Sequence, residues 1–218
     1  MEYLSGLLSR PKELHIEDLF LMGKLQVLQI KDHKVKVVQM DISVDIFKQN
    51  KIKYDWRTLY VGLELNLIEY SDIVNYAVEF LANHPEISNQ NIIQLAWGVD
   101  DFDYENLLVD ILKESHINDL NLEADVWQFE KRKWRFGILA YLKMKHQDDY
   151  EGLLNKVAEV YADFNYPEDM DSFINYLEPK DGFNPSQYSK EENVVRLINL
   201  FNDFLNKEHQ YLQNDNTF

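Results

Sequence analysis

The chain of 218 residues has no cysteine. That excludes disulfides, zinc–thiolate centres and a cysteine nucleophile. Glycine and proline are scarce, with seven and five copies, so backbone breakers are few. Such a chain suits helices joined by short connections rather than a turn-rich β fold. No stretch approaches the roughly 18 apolar residues of a membrane span. Residues Met1–Arg10 lack a basic start followed by an apolar run, so no signal peptide is expected and the expected compartment is the cytoplasm. No P-loop, G-x-G-x-x-G run or G-x-S-x-G elbow occurs, and no cofactor is expected.

Basic residues are also scarce. There are 22 Lys and Arg against 38 Asp and Glu, a formal charge of −16. Between Thr58 and Leu112 there is no Lys or Arg at all, yet Glu64, Glu69, Asp72, Glu79, Glu86, Asp100, Asp101, Asp103, Glu105 and Asp110 all fall there. The same stretch carries Leu, Ile, Val and aromatics at helical spacing, so it is a folded acidic surface rather than a tail. Its field attracts cationic partners and opposes nucleic acid and anionic membrane.

Periodicity defines the body of the fold. Leu153, Leu154, Val157, Val160, Tyr161 and Phe164 form one face of a helix over 150–164, with Asp148 or Asp149 as its cap. Val194, Leu197, Ile198, Phe201, Phe204 and Leu205 do the same over 190–211, behind a capping box from Ser189 to Glu192. Further helices are predicted over 55–66, 71–83, from Ser88 to about Trp97 with Gly98 as the stop, 103–115, about 122–146, and 167–177 behind Pro167. Residues 25–40 alternate, and a small β-hairpin there competes with a helix through Leu14–Gln29. The expected fold is mainly α, an irregular multi-helix bundle or helical-hairpin array. Residues 1–40 form an N-terminal appendage and 41–218 a single helical domain.

Three groups invite a chemical reading. Asp100, Asp101 and Asp103 carry oxygens that suit a hard cation, but they lack the spaced ligands and glycine of a calcium loop and fit the N-terminus of the helix that follows. Glu168, Asp169 and Asp171 read as first-turn acids behind Pro167, or with Asp163 as carboxylates for a metal-dependent hydrolase. Asp163 falls near a helix end, where the dipole disfavours an anion. The basic island Lys131, Arg132, Lys133 and Arg135, followed by Lys143 and Lys145, surrounds Trp127 and Trp134. It reads either as an adaptor face or as a buried stripe whose cations pair with the acid-rich neighbouring helices. Six scattered histidines form no helical metal pair.

Four segments together resemble an uncharacterised bacterial family, a domain of unknown function. They are Trp56-x-x-Leu59-Tyr60-x-Gly62-Leu63-Glu64, Ile73-Val-x-Tyr76-Ala77, Arg132-Lys-Trp-Arg135 and Tyr161-Ala-Asp-Phe-x-Tyr-Pro-Glu-Asp169. The resemblance covers about 50–178 and implies an immunity-type protein encoded beside a secreted toxin. It assigns no catalytic residue. Charge and resemblance converge on an acidic, non-enzymatic binding protein whose partner is a cationic protein, with Trp97, Asp100, Asp101, Asp103, Tyr104 and Glu105 as contact residues and no metal site.

Overall fold

A computed structural model describes residues 42–98, 104–115 and 124–214. The elements are α1 (Asp45–Gln49), α2 (Trp56–Glu64), α3 (Tyr70–Asn83), α4 (Gln90–Trp97), α5 (Tyr104–Glu114), α6 (Asp125–Lys145), α7 (Tyr150–Asp163), two 3-10 helices (Glu168–Phe173 and Pro185–Gln187), and α8 (Lys190–Asn214). No strand occurs among the described residues. The fold is mainly α, as the periodicity requires. The hairpin predicted over 25–40, and the N-terminal appendage with it, lie outside the described residues.

Local signals set most helix ends. Asp55 caps α2 by accepting from Arg57 N, and Thr58 returns the bond to the Asp55 backbone. Asn89 rather than Ser88 caps α4, accepting from the Asn91 and Ile92 amides. Gly98 follows α4 with φ 77, the left-handed region open to glycine. Asp149 caps α7 through Gly152 N, and the box from Ser189 to Glu192 caps α8. At 167–177 the expectation fails: the segment is a 3-10 helix over Glu168–Phe173. Asn165 and Tyr166 precede it in the left-handed region, with φ 67 and 55, so the chain reverses sharply and re-enters as a tight, short turn.

Helix α6 is the axis. It packs against α1, α2, α7 and α8, while α2 also meets α5, and α3–α4–α5 join in sequence. The Trp134 ring is fully buried on α6, with its Nε1 donating to Thr58 O at 2.8 Å and its face edged by Phe47 at 4.7 Å. Gly62 lets α2 approach that ring: a Cβ built there would lie 2.4 Å from Trp134 Cζ2. This is the close helix crossing that a glycine inside an otherwise apolar helix implies. Phe173, Phe201 and Met170 fill the opposite side, between the first 3-10 helix and α8.

Candidate functional site

Of the basic island on α6, Lys133 and Arg135 are buried, Lys131 and Arg132 half-buried, and Lys143 and Lys145 exposed. Trp127 and Trp134 are 4% and 0% exposed, which removes the face an adaptor would use. Among the described residues, Arg132, Lys133 and Arg135 pair outside the acid-rich 58–112 stretch, unlike the pairing with acid-rich neighbouring helices that the sequence suggested. Lys133 Nζ instead meets Glu130 Oε1 at 2.8 Å on its own helix. Arg132 forks onto Glu208 of α8, with Nε to Oε2 at 2.7 Å. Arg135 forks onto Asp169 of the first 3-10 helix, with Nη1 to Oδ1 at 2.9 Å. The reason is geometric. Successive positions on α6 point to different neighbours, so each cation takes the acid that its own helix face meets.

Two polar centres result. In the first, burial pushes the Glu130 carboxyl above its usual range against the pull of Lys133 and of the Thr58 hydroxyl, which donates at 2.7 Å. At its edge, burial alone would raise the Asp55 carboxyl, but its ion pair with Arg57 holds it below the ordinary value. This centre is closed, and its partners are mutually satisfied.

The second centre opens to solvent. A cleft of about 320 Å³ lies along α6, bounded by Lys131, Arg132 and Arg135 on one wall and by Phe164, Pro167, Glu168 and Asp169 on the other. Two of the segments carrying the family resemblance, Arg132–Arg135 and Tyr161–Asp169, thus meet across one cleft. Beyond it, Tyr161 Oη donates to Asp171 Oδ1 and Lys180 Nζ to Asp171 Oδ2, each at 2.6 Å. Tyr166 and Tyr176 pack edge-on against the Tyr161 ring and are 59% and 60% exposed.

The carboxylates put forward for a metal are dispersed by these partners. Asp169 serves Arg135, and Asp171 serves Tyr161 and Lys180. Asp163 ends α7, where desolvation and Glu159 raise its carboxyl above the ordinary value. Among the described residues no group of three or more metal-ligating side chains comes together.

Of the proposed contact residues, Asp100, Asp101 and Asp103 lie outside the described residues. Trp97, the last residue of α4, is 86% exposed. Glu105 is exposed in the first turn of α5. Tyr104 is buried and stacks on Tyr70 at 4.6 Å, so it anchors α5 to the core and offers no side chain to a partner. The ends of α4 and α5 adjoin, since a Cβ on Gly98 would stand 4.0 Å from Tyr104 Oη. No helix among the described residues is long and apolar enough to cross a membrane.

No curated protein and no solved structure matches the chain. A family model does, over residues 44–209: the chain belongs to the family described as an uncharacterized protein conserved in bacteria (DUF2247).

Proposed function

We propose that this protein is a binding protein for a cationic protein partner, an immunity-type inhibitor that occupies a basic toxin enzyme in the cytoplasm. One observation carries the reading. Arg132, Lys133 and Arg135 of α6 are committed to Glu208, Glu130 and Asp169 and so do not neutralise the acid-rich α3–α5 region, where among the described residues Lys48 pairs with Glu79 and Lys113 with Asp110. Exposed Glu86 and Glu105 make no ion pair among the described residues. Trp97 ends α4 with most of its ring in water, the disposition of an aromatic anchor set in a field that steers a basic partner. An enzyme that holds phosphate must itself be basic, and an acidic inhibitor both speeds the encounter and shuts out the nucleic acid. On this reading the chain performs no catalysis of its own.

The test uses the protein as bait in the lysate of its own bacterium, followed by kinetics on the captured partner. A basic partner should appear, with an association rate that falls steeply as salt rises. Reversing Asp100, Asp101, Asp103 and Glu105 to lysine should slow association by about tenfold or more. Trp97→Ala should speed dissociation. A partner that is neutral or acidic, or one that binds the reversed variant at the same rate, overturns the reading.

A further inference from the structure

We propose that the cleft between α6 and the 164–169 segment binds a small oxyanion, a carboxylate or a phosphate, on Lys131. Counting charges along the cleft isolates this residue. Glu208 is taken by Arg132, and Asp169 by Arg135. Glu168, the remaining carboxylate of the rim, is exposed and acts electrostatically on Lys180. Lys131 is half-buried, lines the cleft, and makes no ion pair among the described residues. The Phe164 ring lies 5.9 Å from its Nζ, a weak substitute for a counter-ion.

Arg135 lines the same cleft. Arg135 follows Lys131 by one helical turn and is 7% exposed. Its two terminal nitrogens bind Asp169, but its buried Nε has no acceptor. The wall therefore carries, four residues apart and on one face, an ammonium without a counter-charge among the described residues and a guanidinium that only Asp169 and the more distant Glu208 balance. Burial, reinforced by the Arg135 charge, presses the Lys131 ammonium below its ordinary value. An oxyanion on Nζ would supply the missing charge, with Phe164 and Pro167 forming the apolar part of the facing wall. A cleft of about 320 Å³ admits a small molecule and no folded polyanion. The proposal is independent of the inhibitor reading, because the acid-rich helices contribute nothing to this cleft.

Sodium phosphate and sodium acetate are titrated into the intact protein against sodium chloride at matched ionic strength, following Lys131 Cε by NMR. A saturable shift at Lys131, with its titration midpoint moving up, is expected for one or both anions, and which of them saturates identifies the chemistry. Lys131→Gln, followed through the backbone amide resonances of the cleft residues in both proteins, should weaken the apparent affinity by about tenfold, the loss of one charged hydrogen bond. Lys143→Gln, at an exposed position on the same helix, should leave it unchanged. Absence of a saturable Lys131 shift in both anions overturns the proposal, and so does a folded Lys131→Gln variant that binds as well as the parent. Should that variant not fold, the Lys131 resonance of the parent decides alone.

Discussion

Gly62 and Gly137 both lie inside helices, where glycine costs about 1 kcal/mol relative to alanine, yet their surroundings differ. A methyl at Gly62 meets the indole of Trp134 at 2.4 and 2.7 Å. That ring is fully buried and tied to Thr58 O, so it has nowhere to go. A methyl at Gly137 meets the branches of Ile46 at 3.3 Å, and a flexible aliphatic chain can yield by that little. Gly62→Ala should therefore destabilise by about 2 kcal/mol net, overpacking outweighing the propensity gain, and lower Tm by roughly 4–8 °C. Gly137→Ala should be close to neutral. Thermal unfolding of the two variants side by side checks this, and equal effects would refute the account of the crossing. A glycine at position 62, inside the helix whose apolar face is Trp56, Leu59, Tyr60 and Leu63, is itself a packing signal in the sequence, because its propensity cost needs a reason. Its partner was not legible. Nothing local links position 62 to position 134.

At the scale of elements, α6 and α8 are joined by one carboxylate. Glu208 is 5% exposed and faces Arg132 and Arg135, the latter at 3.8 Å. Removing it strands the Arg132 guanidinium and takes a second, more distant carboxylate from buried Arg135. A broken buried pair costs about 3–5 kcal/mol, reduced here because Arg132 is a third exposed and Arg135 keeps Asp169. Glu208→Ala should lower urea-unfolding stability by about 3 kcal/mol, and Arg132→Met combined with Glu208→Leu should recover much of that loss. A loss under about 0.5 kcal/mol, the scale of an ordinary surface change, would show the pair to be incidental. The helices themselves could be read from spacing and caps. Ser189 and Glu192 close α8 as the capping box requires, and Asp55 and Asp149 begin α2 and α7. The turn after Pro167 was misread for a physical reason. Proline and first-turn acids mark a helix start without fixing its pitch, and Asp169 is drawn toward Arg135, an attraction invisible in local sequence. The cleft was legible only as two separate motifs. Their meeting depends on how α7 reverses at Asn165 and Tyr166.

For the whole molecule the governing quantity is a charge of −16. The ion pairs divide into two populations that respond differently to salt. Exposed pairs such as Lys48–Glu79 and Lys190–Glu151 add little to stability and fade as salt rises. The buried Lys133–Glu130 pair is screened little. Self-repulsion among unpaired surface acids opposes the compact state and is screened fully, since the Debye length falls from about 30 Å at 0.01 M to about 8 Å at 0.15 M. With 38 acids against 22 bases, more surface charge is repelled than paired. Stability should therefore rise with sodium chloride across that range, by a few degrees in Tm, and then level off. Urea is the denaturant for the parallel experiment, because guanidinium is itself a salt. A Tm that falls instead would mean that surface pairing dominates. The acidic field would then be largely neutralised at home, and the case for a cationic partner would weaken with it.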